Sequence, residues 1–221
     1  MNFAIEENLK TALIKNKYLD ENDFEGQNLK DSSKDKVDNI KELIISNSEL
    51  SDLTGLNNFI NLEILDCSFN EINYVSLVKC TNLTVLKANN CNITYIDLSN
   101  NKKLKELNLS NNNLNSIDLT QNMELKYLNL NSTLLVLLEV SNLKKLIILY
   151  IERTYIKLID VRNCKKLKKF SYTNPQGTAN LIVNIKQFLS KRNKWESKNN
   201  VKVIFNITLS KLFKNILLND N

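Results

Sequence analysis

An apolar pattern recurs every 21 residues through the middle of this 221-residue chain, and it restricts the possible folds more than any other feature. Each copy has apolar residues at its first, fourth and sixth positions, and five copies have Asn, Cys or Thr at the ninth. The first position is held by Leu62, Leu83, Leu104, Leu125, Leu146 and Leu167. A 22-residue copy that begins at Ile40 precedes them. A unit this short has too few apolar side chains to fold alone, so the copies must stack on one another.

The positions within a copy predict its local structure. Inward apolar residues at the fourth and sixth positions predict a short strand with one buried face. The ninth position falls at the following bend, where a polar side chain can bond backbone groups of the loop. Stacked copies would align these side chains in a ladder: Asn70, Cys91, Asn112, Thr133 and Thr154. Turns built on asparagine explain how a chain with only three Gly and one Pro folds back repeatedly. The remainder of each copy is expected to return as loop or short 3₁₀ segments.

The spacing LxxLxLxxNxL is the leucine-rich repeat signature. It predicts an α/β solenoid, a right-handed arc with a parallel sheet on its concave face, an N-terminal helical cap and a C-terminal α+β cap. Residues 48–72, SELSDLTGLNNFINLEILDCSFNEI, resemble the first repeats of bacterial surface leucine-rich repeat proteins, namely internalins and related Bacteroidetes-type proteins. Residues 2–23 resemble the helical cap that such proteins carry. The resemblance covers about residues 3–173 and implies noncatalytic binding of proteins or glycans, often at a cell surface.

Loss of the period at both ends divides the chain into three parts. We predict a helical N-terminal cap over residues 1–39, about seven repeats over 40–174 and a C-terminal capping region over 175–221. In the N-terminal cap, the apolar spacing predicts a short amphipathic helix that carries Ile5, Leu9, Ala12, Leu13 and Leu19. In the C-terminal region, the pattern predicts strands at 180–185 and 201–207, a helix at 186–195 and a final amphipathic helix at 208–221.

The composition excludes several kinds of active site. The chain has no His, which removes Ser-His-Asp triads, Cys-His pairs and His-bearing zinc sites. Its three glycines are isolated, so the sequence contains neither the glycine pattern of a phosphate-binding loop nor that of a dinucleotide-binding fold. The four cysteines form no CxxC pair, and the acidic stretch 20–23 lacks the Gly and Glu of an EF-hand calcium loop. We therefore predict a chain that is not an enzyme and holds neither a cofactor nor a metal.

Charge is distributed unevenly along the chain. The formal net charge is +6, but residues 1–40 and 41–140 are acidic, at −3 and −4, and residues 141–221 are basic, at +13. Lysines recur at the turns before the last strands of the repeats: Lys144, Lys145, Lys165, Lys166, Lys168 and Lys169. They could attract a polyanion, although a solvated lysine surface is the alternative. No aromatic residues are interleaved with them for base stacking, so nucleic acid binding is not predicted.

The sequence shows neither a signal peptide nor an apolar run long enough to span a membrane. We expect a monomer without a transmembrane segment. Its location is the cell surface or the exterior if a leader has been removed, as the family resemblance implies, and the cytoplasm otherwise.

Leucine-rich repeats most often bind partners through the concave sheet, where the residues that flank the inward leucines face outward. Aromatic residues and Arg are the usual energetic anchors of interfaces. We therefore predict a site for a protein or glycan on this face, formed by Phe69, Lys87, Tyr127, Asn129, Tyr150, Glu152 and Arg153. The alternative is that these residues are ordinary strand formers on a solvated sheet.

A second candidate surface lies on the flank of the later repeats. Positions that are polar in early copies become apolar there: Leu134, Val136, Leu137, Tyr155 and Leu158. An outward apolar cluster marks an interface, and the chain would then be an intracellular scaffold or regulatory subunit. The alternative is that the C-terminal segment folds back over the cluster, using Phe213, Ile216 and Leu217.

Overall fold

The computed structural model describes residues 3–175, 179–183, 195–196 and 201–205. Two α-helices, α1 (Glu7–Lys15) and α2 (Lys34–Asp38), precede the repeats. Short 3₁₀ turns lie at Glu21–Asp23, Asp31–Ser33 and Leu56–Asn58. The strands are β1 (Phe3–Ala4), β2 (Phe24–Glu25), β3 (Asn28–Leu29), β4 (Glu42–Ile44), β5 (Ile64–Asp66), β6 (Val85–Lys87), β7 (Glu106–Asn108), β8 (Tyr127–Asn129), β9 (Ile148–Ile151), β10 (Leu158–Asp160), β11 (Lys169–Tyr172), β12 (Ala179–Val183), β13 (Trp195–Glu196) and β14 (Val201–Phe205).

Eight strands form one parallel sheet in the order β13-β11-β9-β8-β7-β6-β5-β4. The central leucine of each middle strand pairs with the leucine one repeat further on: Leu65, Leu86, Leu107, Leu128 and Leu149. All five side chains are fully buried. Each repeat therefore contributes to one continuous core, and the predicted leucine-rich repeat solenoid is confirmed.

The turn that follows each middle strand contains one residue in the left-handed backbone region. The angle φ lies between 55° and 58° at Phe69, Asn90, Asn111, Ser132 and Arg153. Asn tolerates this region, whereas a bulky Phe rarely adopts it. The amide of Phe69 donates to Asn89 O at 2.9 Å, and the amide of Ser132 donates to Glu152 O at 2.7 Å. Hydrogen bonds between repeats thus continue through these turns without glycine.

The predicted polar ladder bridges neighbouring repeats. Asn70 Nδ2 donates to the carbonyls of Ile45 and Cys67, both at 2.9 Å, and its Oδ1 accepts the amides of Ser48 and Leu50 at 2.9 and 3.0 Å. One side chain therefore satisfies four backbone groups in two repeats. The ladder continues through Cys91, Asn112, Thr133 and Thr154, each of which donates to a backbone carbonyl.

A second buried ladder, which the sequence analysis missed, runs along the returning segments. Asn101 Nδ2 donates to Leu77 O at 3.1 Å, and Asn122 Nδ2 donates to Leu98 O at 3.0 Å. Cys80 and Cys164 occupy the same repeat position, and their thiols contact Leu56 O and Val140 O at 3.7 and 3.4 Å. The equivalent residue of the next repeat, Leu143, has no hydrogen-bond donor in its side chain. The neighbouring Asn142 Nδ2 donates to Leu119 O at 2.9 Å instead. Every repeat from the second to the sixth thus satisfies the same carbonyl with a side chain.

The N-terminal region covers the first edge of the large sheet. Helix α1 carries and buries Leu9, Ala12 and Leu13 of the five residues assigned to the predicted amphipathic helix. Ile5 and Leu19 are also buried but lie outside the helix. The antiparallel sheet β1-β3-β2, which was not predicted, packs beside it. Tyr18 accepts a hydrogen bond from the amide of Ile44 at 2.8 Å, which satisfies a backbone group on the edge strand β4. A covered edge cannot pair with another chain.

An ion pair joins the 3₁₀ turn Glu21–Asp23 to helix α2. The carboxylate of Asp23 is almost fully buried and contacts Lys36 Nζ at 2.7 Å. It also accepts hydrogen bonds from Ser33 Oγ at 2.7 Å and from the amide of Asp20 at 2.8 Å. Burial by itself would raise the pKa of Asp23, but these hydrogen bonds outweigh it and leave the pKa below its ordinary value.

The chain beyond Pro175 keeps the solenoid geometry although its sequence loses the repeat. Strands β10, β12 and β14 form a second parallel sheet on the returning side, and each step within it is 22 residues, from Leu158 to Asn180 to Lys202. Strand β14 lies within the segment predicted at 201–207, and β12 overlaps the segment predicted at 180–185 but begins one residue earlier, at Ala179. Strand β10 was not predicted. Trp195, the last residue of the helix predicted at 186–195, lies in β13 instead. The rest of that helix and the helix predicted at 208–221 lie outside the described residues.

We expect Asn112→Ala to lower the free energy of unfolding by about 3 kcal/mol, because it leaves buried backbone groups without partners. The carbonyls of Ala88 and Leu109 and the amide of Ile93 would lose their bonds. Urea denaturation measures the loss. The control is Asn113→Ala at an exposed position, which should change stability by less than about 0.5 kcal/mol. Equal losses in the two variants would contradict the ladder.

Asp23→Asn should destabilise the fold by about 2 kcal/mol near neutral pH, because it removes a charged acceptor of three hydrogen bonds. The pKa of Asp23 is lowered in the folded state. Its contribution is therefore present above the unfolded pKa of about 4 and is lost as the pH falls through the lower folded value. Urea denaturation at several pH values should show the two proteins converging in acid. A pH-independent difference would show that the charge of Asp23 is not what stabilises the region.

Candidate partner-binding surface

The register of the large sheet aligns its outward side chains in rows across the repeats. One row contains Ile64, Val85, Glu106, Tyr127 and Ile148. The second row, two residues further along each strand, contains Asp66, Lys87, Asn108, Asn129 and Tyr150. Neighbouring members of a row are about 4.8 Å apart, the spacing of strands in a sheet. The outward face is thus a regular platform on which adjacent side chains touch.

Two tyrosines form the aromatic centre of this platform. The rings of Tyr127 and Tyr150 meet edge to face, with centroids 6.0 Å apart and planes at 85°. Both side chains are half-buried. Burial raises the pKa of the Tyr127 phenol, so the hydroxyl stays protonated near neutral pH and can both donate and accept a hydrogen bond. Asn129 Nδ2 lies 3.5 Å from this hydroxyl.

Amide side chains link the strands around the tyrosines. Asn89 Oδ1 accepts hydrogen bonds from Ser68 Oγ and Asn108 Nδ2, both at 2.9 Å. Asn131 Oδ1 accepts the amide of Glu152 at 2.6 Å. These bonds hold the outward side chains in place, because each one joins residues from different repeats. The asparagines were not among the predicted site residues, although they occupy the same outward columns of the sequence.

The predicted site residues fall into two groups. Tyr127, Asn129 and Tyr150 lie together on β8 and β9, with Glu152 directly after β9, whereas Lys87 is exposed on β6, two strands away. Phe69 and Arg153 are not on the sheet. They are exposed residues of the left-handed turns that follow β5 and β9, and these turns are about 19 Å apart. The seven residues therefore do not form one compact site, and Tyr127, Asn129, Tyr150 and Glu152 are its centre.

The predicted flank is exposed on the opposite side of the repeats. The exposed fraction is 44% for Leu134, 64% for Val136, 71% for Leu137 and 47% for Leu158, while Tyr155 is half-buried. Tyr74 and Tyr95 occupy the same repeat position as Leu137 and are also exposed. The C-terminal residues suggested as a cover, Phe213, Ile216 and Leu217, lie outside the described residues.

Two cavities lie outside the tyrosine platform. One of about 100 Å³ lies between the N-terminal region and the first repeat, lined by Leu29, Val37 and Ile60 among others. Another of about 300 Å³ lies on the returning side, between Tyr95 and Gln121. Neither is lined by a residue of the tyrosine platform.

The described residues contain no group of three or more side chains placed to hold a metal ion. Asp20 and Asp23 of the acidic stretch both contact Lys36, which makes them structural. Within the same ranges, no helix combines the length and apolarity that a membrane span requires.

The four cysteines are buried thiols within the core. Burial raises the pKa of Cys80 to about 11 and that of Cys164 to about 12, and it also raises the pKa of Cys67 and Cys91. A protonated and enclosed thiol is a poor nucleophile. All four side chains therefore fill space in the core, and the thiols of Cys80, Cys91 and Cys164 also contact carbonyls.

No family model matches the chain, and the comparison with curated protein sequences gives no match. Among solved structures, a leucine-rich repeat protein of Leptospira interrogans is similar with a TM-score of 0.59 and 25% identity, over 76% of this chain and 51% of that one. An internalin (InlF) from Listeria monocytogenes is similar with a TM-score of 0.55 and 16% identity, over 90% and 70% of the two chains. The leucine-rich repeat domain of APL1B gives 0.56 and 17%, over 78% and 48%.

The parallel solenoid and its polar ladder define a leucine-rich repeat protein. The structural neighbours include bacterial leucine-rich repeat proteins, an internalin among them, so the resemblance drawn from the first repeats is confirmed at the level of the fold. The chain spans about half the length of the Leptospira protein. The leucine-rich repeat fold supports a protein-interaction module.

We expect all four thiols to be unreactive toward Ellman's reagent in the folded protein. At about pH 8, a thiol of pKa 11 is ionised in about one molecule in a thousand, and each sulfur is also enclosed. Absorbance at the thionitrobenzoate band should show no release before denaturant is added and release from four thiols afterwards. Rapid reaction of any thiol in the native state would contradict the buried placement.

Proposed function

We propose that the chain is a noncatalytic binding module that recognises a protein or glycan through the concave face of its sheet. The site centres on Tyr127, Asn129, Tyr150 and Glu152, with Lys87, Phe69 and Arg153 as outlying contacts. Partner contact at these outlying residues depends on how far the ligand extends along the solenoid.

The single observation that carries this proposal is the tyrosine pair on the platform. Two aromatic rings in edge-to-face contact, 6.0 Å apart, give a rigid apolar surface with hydroxyl groups at its rim. Aromatic anchors of this kind dominate the energy of many interfaces, and they lose little entropy when a partner binds. Sugar rings also stack on such surfaces, while the surrounding amides offer hydrogen bonds to hydroxyl groups.

A second candidate function rests on the exposed flank. Val136 and Leu137 are 64% and 71% exposed, and adjacent apolar side chains of this size favour contact with another apolar surface. In that case the chain would act as a scaffold or regulatory subunit that docks through Leu134, Val136, Leu137, Tyr155 and Leu158. The two functions differ in the face that binds, so paired variants separate them.

We expect the double variant Tyr127→Ala/Tyr150→Ala to lose about 2 kcal/mol or more of binding energy, which is about a 30-fold weaker affinity. The ligand is first identified as the species that the unmodified chain retains on a glycan array or in a quantitative pull-down from the source cells. Affinity for that purified ligand is then measured by calorimetry.

Two matched variants make the outcome specific. Tyr74→Ala/Tyr95→Ala removes two tyrosines that are exposed on the returning side, and it should leave the affinity unchanged. Val136→Asp/Leu137→Asp places charge on the flank, where exposed side chains keep the fold intact. Loss of binding in the flank variant alone would replace the concave-face proposal with the scaffold function. If all three variants bound the ligand as tightly as the unmodified chain, both candidate functions would be contradicted.

A further inference from the structure

Lysines cover one edge of the solenoid, where the chain turns into each strand. Each of four consecutive repeats has three equivalent positions in this turn, twelve in all. In the first of these repeats they are residues 102, 103 and 105. Nine of the twelve positions are lysine: Lys102, Lys103, Lys105, Lys126, Lys144, Lys145, Lys165, Lys166 and Lys168. The other three are Met123, Glu124 and Ile147. We call this surface the basic edge.

All nine lysines are exposed, and the register of the sheet aligns them in rows. Strands β7, β8, β9 and β11, which they precede, are consecutive and parallel. Four strands at about 4.8 Å give a surface about 14 Å long between the first and last rows. The positive charge is therefore repeated at a fixed interval along the solenoid axis, on a rigid support.

The single acidic position in the basic edge is surrounded by lysines of neighbouring repeats. Glu124 pairs with Lys145, whose Nζ lies 2.5 Å from Oε1. This hydrogen bond is the main cause that holds the pKa of Glu124 below its usual range, and the charges of Lys126 and Lys105 lower it further. Lysines from three repeats thus act on one carboxylate at this surface. A negative group placed along the edge would meet the same field.

Acidic side chains occupy a different line of the molecule. Asp97, Asp118, Glu139 and Asp160 share one position on the returning segments, and each accepts the backbone amide two residues further on. These carboxylates stabilise local turns. The solenoid therefore carries positive charge along one line and negative charge along another, which would orient an approaching polyanion toward the basic edge.

We propose that the basic edge binds a linear polysaccharide that carries carboxylate or sulfate groups, laid across the repeats with about one sugar residue for each strand. Lysine suits this ligand because its ammonium is a compact charge on a flexible stem, which can follow anionic groups that have no single planar geometry. The twelve positions contain no aromatic residue on which nucleic acid bases could stack. Met123 and Ile147 are too few to insert into a membrane surface as the apolar face of an amphipathic helix does.

This surface is separate from the tyrosine platform and does not depend on it. The tyrosines lie on the strands, whereas the basic edge lies on the turns that precede them. The variant Tyr127→Ala/Tyr150→Ala should therefore bind an anionic polysaccharide as the unmodified chain does. Failure of one proposal is in this way distinguishable from failure of the other.

The test measures binding of the full chain to a heparin-derived oligosaccharide and to oligogalacturonate by fluorescence anisotropy over a series of salt concentrations. The variant is Lys126→Glu/Lys168→Glu. Its control is Lys79→Glu/Lys157→Glu, which changes the net charge equally at exposed lysines outside the basic edge. We expect the edge variant to bind about tenfold more weakly or worse, and to lower the slope of log affinity against log salt by about two, because each lysine in contact releases about one counterion. The control should keep most of the affinity.

Three results would overturn the proposal. The first is absence of binding to both oligosaccharides at moderate salt. The second is an equal loss in the edge and control variants, which would assign the effect to net charge alone. The third is tighter binding to a single-stranded oligonucleotide or to phosphatidylserine vesicles than to either oligosaccharide, which would assign the edge to another class of polyanion.

Discussion

Stacking between repeats is the constraint on which the rest of this structure depends. A 21-residue copy cannot enclose its own leucines or satisfy its own turn, and both needs are met by the next copy. Asn70 shows the coupling most directly, since its side chain bonds carbonyls and amides on two repeats at once. The buried leucines supply most of the stabilisation, while the ladders ensure that burial leaves few backbone groups without a partner.

Stacking also separates the positions that stabilise the fold from those that are available for function. Inward columns must hold leucine or a residue of similar volume, and the bend must hold a hydrogen-bond donor. Outward columns have no such requirement, and the same register that aligns the leucines aligns whatever stands beside them. The tyrosine platform and the basic edge both arise in this way. The basic edge follows columns whose members are far apart in sequence and one strand spacing apart in space, and the tyrosine platform joins two neighbouring columns.

The two ends solve the problem that a stack always has an exposed face. At the first end, Tyr18 satisfies a backbone amide of the edge strand β4, and the Asp23–Lys36 pair joins two segments of the N-terminal region. At the other end, the backbone continues the solenoid through β12, β13 and β14 after the leucine pattern has ended. Pairing between β10, β12 and β14 keeps a 22-residue step, whereas β13 pairs with β11 at a longer step, from Phe170 to Trp195. The repeat pattern of the sequence predicts neither.

The order of residues was enough to predict the solenoid, its parallel sheet and the first polar ladder, because each follows from which side chains recur at a fixed interval. It also indicated the tyrosines, since each is an aromatic residue at an outward position of its repeat. The second ladder was missed because its position changes between cysteine and asparagine from copy to copy, and Cys80, Asn101 and Cys164 share only the equivalent carbonyl that each satisfies. Phe69 and Arg153 were assigned to the sheet because alternation does not reveal where a strand turns into left-handed backbone. The sheet formed by β10, β12 and β14 depends on backbone pairing between distant segments, and only the tertiary structure decides that.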